Sequence, residues 1–420
     1  MADDETPAPA ARLTAARCGL IIAPMLGPAM VAGVAYLDPG NVAANMTAGA
    51  LFGYLLIWVV VTANVMAWLI QYLSAKLGIA TGLSLPEALG QRIRRRPARL
   101  GYWGQAELVA MATDVAEVIG GAVALYLLFD LPLLVGGIIT GVVSMLLLVV
   151  QSRKGAKPFE RILTGLIAII VIGFCAGLII GPPDPAAAAA GLLPMFDGTE
   201  SVLLAASIMG ATVMPHAIYA HSALTRDRFG QVAAGAERTL VLRATRIDVT
   251  IALAIAGTVN VVMLLLAAAN LAGVEGTDTL EGAHAALGDA LGPAVALLFA
   301  IALLASGLAS TSVGAYAGAE IMKGLLRVNI PLLLRRAITI APALVILALG
   351  VDPTLALVLS QVVLSFGIPF ALIPLVRLTA DKQLMGESVN RRLTTALAIL
   401  CAGLLVALNV TLLVLLAFGL

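Results

Sequence analysis

All 25 lysines and arginines of this 420-residue chain fall in alternate connections between eleven apolar stretches, the segregation that a bilayer imposes on a polytopic chain. The stretches lie near 20–45, 52–75, 104–129, 132–150, 162–181, 200–224, 247–272, 290–322, 331–350, 354–376 and 394–418. Each is long enough to cross a hydrocarbon core of about 30 Å as a helix. Two basic residues precede the first stretch, and six, four, five, four and four follow the second, fourth, sixth, eighth and tenth. The opposite connections carry only acids, among them Asp130, Asp184, Asp197, Glu200, Glu275, Asp278 and Asp352. Shifting any span by one would scramble this alternation. The pattern therefore predicts eleven spans in a plasma membrane, with a cytoplasmic N-terminus and an extracellular C-terminus. With 61% hydrophobic and 12% charged residues and a mean hydropathy of +1.03, too little polar surface remains for a soluble globule.

Several function classes fall away. No Walker loop or nucleic-acid motif is present, which argues against ATP-driven pumping by this chain alone and against a nucleic-acid partner. Cys18, Cys175 and Cys401 are too far apart in sequence for a metal-ligand motif. No enzyme, bound cofactor or obligatory protein partner is expected. The acidic, then Ala- and Pro-rich segment 1–19 reads as a disordered cytoplasmic tail.

Two spans are interrupted alike. In span one the run Gly27–Leu37 meets Asp38-Pro39-Gly40-Asn41, and in span six Val202–Val213 meets Met214-Pro215-His216. Proline removes a backbone donor and clashes with the preceding turn, so both helices should break mid-membrane and free carbonyls. Five spans per unit start the second unit on the opposite side, the mark of an inverted repeat with its site between two broken helices. The units are 20–181 and 200–376, with 394–420 as an eleventh helix.

A mid-span carboxylate costs at least ~2.5–3.5 kcal/mol unless compensated. Asp38 needs a cation or a proton, and the Asn41 amide with the freed carbonyls of Ala35 and Ala211 supplies further oxygens. Met214 adds a thioether, a soft ligand that favours transition metals over Mg²⁺ or Ca²⁺, although a methionine in an apolar span is commonly filler.

Span three carries Glu107, Asp114 and Glu117, nearly two turns and then one turn apart, so that one helix face is acidic. It reads as a proton relay toward Arg335 and Arg336 at the start of span nine, with Glu107 alternatively an interfacial acid held by a base. His216 and His221 follow the second break and do not share a face. Either serves a proton step or stands as a neutral hydrogen-bonded imidazole. His284 reads as a solvated loop residue, and Asp248 and Glu320 as interfacial partners of Arg246 and Lys323.

The run Gly27-Pro28 through Asp38-Pro39-Gly40-Asn41, with Met214-Pro215-His216-Ala217-Ile218-Tyr219 and His221-Ser222, resembles the natural resistance-associated macrophage protein (Nramp) family, its bacterial manganese branch most. The resemblance implies an all-α LeuT-type fold of two inverted five-helix repeats plus an eleventh helix, helices one and six broken. It also implies proton-coupled import of Mn²⁺, Fe²⁺ and similar ions by alternating access. Carried over by position, the ligands are the side chains of Asp38, Asn41 and Met214 and the carbonyls of Ala35 and Ala211. Gln361 matches a family residue that approaches the metal in some states. A sodium-coupled amino-acid symporter of the same fold is the competing reading, disfavoured by an anionic site containing a thioether.

Overall fold

Prolines and capping side chains set where the helices begin. Pro28, Pro39, Pro215, Pro293 and Pro353 each stand in the first turn of a helix, where the missing N–H has no partner to lose. The computed structural model describes residues 25–154, 156–328 and 330–418, and every regular element among them is helical. The expected tail over 1–19 lies outside the described residues.

Span one comprises Pro28–Val34, a 3-10 turn Ala35–Leu37 and Pro39–Phe52, and span six comprises Gly198–Thr212 and Pro215–Phe229. Spans two to five are Ile57–Thr81, Arg96–Phe129, Leu133–Lys154 and Ala156–Ile180. Spans seven to eleven are Ala236–Asn270, Pro293–Leu326, Leu332–Ala348, Pro353–Thr379 and Arg392–Phe418. Among the described residues eight helical stretches are long and apolar enough to cross a bilayer, span six counting as one, and Pro28–Leu37 and Leu133–Leu147 are shorter apolar helices.

Among the described residues four connections hold helices of their own, Leu85–Arg92, Pro185–Ala190, Leu280–Leu291 and the single turn Lys382–Met385. The apolar stretch that begins near 290 therefore starts as a span only at Pro293, after Gly292 ends the preceding helix at φ 97°. His284, expected in a solvated loop, sits half-buried on Leu280–Leu291 with its ring 6.3 Å from that of Phe299.

The packing repeats when span one is exchanged for six, two for seven, three for eight and five for ten. Pro39–Phe52 packs on span seven as Pro215–Phe229 packs on span two, and span three packs on span ten as span eight does on span five. Spans three and eight form the most extensive helix pair, and span eleven lies outside the repeats against spans six and ten. Without a hydrophobic force between helices in lipid, close packing of small residues holds such pairs together. Gly49 rests on the span-seven backbone at Leu264, and Gly78 of span two rests on the backbone of Ser222 in span six, so the two equivalent helix pairs are both seated on a glycine.

On the basic face, Arg226 at the end of span six donates to Glu87 at 2.5 Å and to Glu320 of span eight at 2.9 Å. Glu87 also closes a capping box with Ser84. Burial pushes the Glu87 carboxyl up, but the Ser84 backbone and Arg226 outweigh it and leave it below the ordinary carboxylate range. This depressed group stabilises the fold above the ordinary range and loses that contribution only as pH falls through its folded value.

The expected Asp248–Arg246 pairing does not form. Asp248 accepts from the backbone N–H groups of Gly27 at 3.1 Å and Ala29 at 2.9 Å and so caps the first half-helix, while the Arg246 guanidinium lies 5.0 Å from the Tyr72 ring centroid. Glu320 lies 3.7 Å from Lys323, as expected, and adds Arg226.

Glycine packing makes a prediction. A methyl group at Gly78 meets the Ser222 carbonyl and the Thr225 hydroxyl, whereas one at Gly101 meets nothing within 4 Å. Gly78→Ala should cost about 1–3 kcal/mol by overpacking, and Gly101→Ala should be neutral or stabilising by up to about 1 kcal/mol. Thermal unfolding of the two detergent-solubilised variants checks this; equal shifts would show that the glycine seat is not a tight contact.

Candidate metal centre between the broken helices

Asp38 leaves the helical path at φ −71°, ψ 162° and becomes the N-cap of Pro39–Phe52. Its Oδ1 accepts from the Asn41 backbone N–H at 2.9 Å and from Asn41 Nδ2 at 3.1 Å. The partial positive charge of the half-helix N-terminus thus faces the carboxylate. Its Oδ2 accepts from Gln361 Nε2 of span ten at 3.2 Å. That approach depends on Gly40, where a Cβ would overlap the Gln361 amide.

The second break lies opposite. Span six ends its first half at Thr212, bends at Val213 (φ −101°, ψ 61°) and resumes with Met214 as N-cap of Pro215–Phe229. The Ala211 carbonyl, whose helical donor position is Pro215, accepts instead from Asn41 Nδ2 at 2.6 Å. Ala35 is in the same position relative to Pro39. Sequence alone therefore explains two carbonyls without a helical donor, one from each break. Thr212 Oγ1 donates to Asn41 Oδ1 at 3.4 Å.

Asp38, Asn41, Ala211 and Gln361 thus form one hydrogen-bonded cluster across spans one, six and ten. Ala35 and Met214 flank it in the breaks. All six are fully buried. Among the described residues no three His, Cys, Asp or Glu side chains gather as a metal cluster; the donor set is one carboxylate, two amides, two carbonyls and a thioether.

The acidic face of span three is also assembled, in two parts. Arg335 donates to Glu107 at 2.8 Å near the rim. Deeper, Arg336 donates to Asp114, contacts Glu117 at 3.4 Å, and reaches Ser144 at 3.2 Å and Thr311 at 3.4 Å. Arg336, Asp114 and Glu117 are buried, so two carboxylates share one guanidinium and the triad holds one acid in excess. Glu117 stands one turn before Gly120, whose missing side chain admits Pro39, and this places the buried triad beside the Asp38 break.

The two histidines part company. His216 Nδ1 lies 3.0 Å from Thr113 Oγ1 on span three, next to Asp114. His221 Nδ1 lies 2.8 Å from Gln71 Oε1 of span two, and Gln71 donates in turn to the Tyr36 hydroxyl. Sequence reasoning missed Thr113, Thr212, Gln71 and Tyr36. Gln71 carried a signal, as a carboxamide within an apolar run. Ser306, which donates to the Leu37 carbonyl at the first break, carried none.

Two cavities flank the buried cluster. One of 320 Å³ is lined by Pro28, Val31, Glu160, Asp227 and Arg228 on the basic face. Another of 360 Å³ is lined by Thr47, Leu204, Glu200, Asp278 and Asp352 on the acidic face. With Asp38 inaccessible to solvent, the cluster is closed off from both.

A family model described as natural resistance-associated macrophage protein-like matches residues 29–415. The chain is 61% identical over 395 residues to a divalent metal cation transporter MntH of Mycobacterium tuberculosis, covering 94% of this chain and 92% of that one. It also superposes on the crystal structure of an Eremococcus coleocola manganese transporter with a TM-score of 0.83 at 31% identity, over 96% of this chain and 88% of that one. A nucleobase-cation-symport-1 family transporter, MHP1, shares the fold alone, with a TM-score of 0.58 at 14% identity over 94% of this chain and 92% of that one. With two helices broken mid-membrane, repeats that pack alike, and a match along nearly its whole length, this chain belongs to the Nramp family and has the LeuT-type fold.

Proposed function

We propose that the protein imports divalent transition-metal ions, Mn²⁺ foremost and Fe²⁺ with it, in exchange between two accessible states and coupled to protons. The observation that carries this reading is the buried Asp38 cluster between two half-helices, which offers one negative charge and several neutral oxygens to a cation. Asn41 Nδ2 bridges the Asp38 and Ala211 oxygens. A cation between those oxygens takes over the role of that N–H donor, and rotation of the amide turns Oδ1 toward the ion. Met214 supplies the soft contact that separates Mn²⁺ from Ca²⁺ and Mg²⁺, and Ala35 and Gln361 complete the shell. The transporter names of the relatives support the substrate class.

Import requires the closed cluster to open to each face in turn. On this reading the two flanking cavities lie on the routes, the acidic one at the face we assign to the exterior and the basic one at the cytoplasm, and the distribution of lysine and arginine supports an N-terminus inside and a C-terminus outside. A proton released when Asp38 takes up metal passes by His216 and Asp114 to the Arg336 triad, and then along span three to Glu107 and Arg335. His221 belongs with Gln71 and Tyr36 and acts, on this reading, through the second half of span six. An amino-acid substrate fits poorly, because the N-terminus that would receive its carboxylate is already capped by Asp38.

Three outcomes are expected in proteoliposomes. Asp38→Ala should reduce Mn²⁺ uptake to background while leaving the protein folded, since no neutral set balances a dehydrated divalent charge; substantial uptake would remove Asp38 from the site. Met214→Ala should keep Mn²⁺ transport but lose roughly tenfold, about 1.4 kcal/mol, in discrimination against Ca²⁺, read by competition; unchanged exclusion would make Met214 packing. Asp114→Asn should cut metal-stimulated proton flux more than Mn²⁺ uptake and flatten the pH dependence of uptake. Parallel flux measurements decide it, and equal losses would make the triad structural.

A further inference from the structure

On the basic face a pocket of 640 Å³ gathers Lys76 of span two, Arg238, Arg243 and Arg246 of span seven, and Arg391 before span eleven, against one acid, Glu387. None of these five cations is in an ion pair among the described residues. Three are held by uncharged partners: Lys76 by Asn390 at 2.8 Å, Arg238 by the Val232 carbonyl at 2.8 and 2.6 Å, and Arg246 by the Tyr72 ring. Arg243 and Arg391 are exposed at its edge. Five cations against one acid, none of the five ion-paired among the described residues, make a pocket suited to an anion.

A second cavity says which anion. A groove of 610 Å³ runs along the same two spans and is almost wholly apolar, lined by Val61, Val65, Trp68, Leu253, Val261 and Leu265 among others. On span two its residues 61–68 precede pocket residues 72 and 76, and on span seven its residues 250–265 follow pocket residues 235–246. The two spans run antiparallel, so the groove and the pocket lie end to end. Val65, 64% exposed, faces out of the protein along this groove. At the junction Trp68 stacks on Tyr72 and donates to Thr250, an aromatic pair at the level where headgroups meet acyl chains.

We infer that spans two and seven form a binding site for one anionic phospholipid, its phosphodiester among the five cations and an acyl chain in the groove. Charge and shape agree, because a free phosphate uses the pocket and leaves the groove, whereas a zwitterionic lipid fills the groove and brings a choline to a cationic pocket. The site lies away from the metal cluster, but span seven also carries Asp248, the cap of the first half-helix. A bound lipid therefore braces the element that holds span one in place.

The test uses the full-length protein in detergent, with lipid retention read by native mass spectrometry and stability by thermal unfolding. Phosphatidylglycerol should be retained and raise the unfolding temperature, and phosphatidylcholine should do neither. Arg243→Ala with Arg391→Ala, both exposed positions, should weaken phosphatidylglycerol by about fivefold for each cation removed. Ala254→Trp, at an exposed position lining the groove, should weaken the lipid and leave any effect of inorganic phosphate unchanged. Equal retention of the two lipids overturns the proposal, as does undiminished retention by the double variant. It is likewise overturned if inorganic phosphate alone reproduces the full stabilisation while Ala254→Trp changes nothing, which would reduce the site to a surface anion pocket.

Discussion

A single carboxylate at the middle of a hydrocarbon layer dictates much of this architecture. Asp38 costs at least ~2.5–3.5 kcal/mol in place, and the chain offsets that cost with a helix N-terminus, two N–H groups of Asn41 and the Gln361 amide. The N-terminus exists because Pro39 breaks span one. Gln361 reaches the carboxylate because residue 40 has no side chain, and span three reaches Pro39 because residue 120 has none. Without the carboxylate, the Asn41 and Gln361 donors that converge on this break would lose the acceptor they share.

The buried Arg336 triad follows a different logic. Three charged groups sit together with two hydroxyls, those of Ser144 and Thr311, as neutral partners. Burying a paired charge is weak evidence of stabilisation, since hydrophobic replacements are often as stable. Its place beside the Asp38 cluster, with one acid in excess, is the feature that the proposed proton path draws on.

Much of this was legible in the sequence, for physical reasons. The succession of helices could be read because long apolar runs alternate with basic or acidic connections, and the two mid-span breaks because Asp38-Pro39-Gly40 and Met214-Pro215 interrupt such runs, whereas Pro342, Pro369 and Pro374 lie inside helices that continue through them. The cluster of Asp38, Asn41 and Ala211 could be read because Pro39 and Pro215 announce which carbonyls lose their donors. Gln361 could be named only by family resemblance, since its contact spans 323 positions in sequence. Asp248 was misread because proximity in sequence to Arg246 says nothing about which helix end a side chain reaches across the fold. The helix at Leu280–Leu291 was misread as loop because its short length and mixed polarity resemble a linker. Partners such as Thr113 and Ser306 stayed hidden, since a hydroxyl in an apolar span more often bonds its own helix.

The division of charges between broken and continuous spans has an electrical consequence for the proposed cycle. Asp38 rides on a broken helix, while Glu107, Asp114, Glu117, Arg335 and Arg336 belong to the continuous spans three and nine. A membrane potential acts on each charge by about 2.3 kcal/mol per 100 mV for a full crossing. In the proposed cycle a divalent ion seated on Asp38 gives the mobile half-helix a net charge of about +1, and the empty return carries about −1 or, once protonated, none. In that cycle an interior-negative voltage drives the loaded step inward and also favours the outward return of a bare carboxylate, while it leaves a protonated, neutral return unaffected. On the proposed cycle, current and metal flux would then respond to voltage separately, because the acids are anchored on helices other than the one that carries the metal.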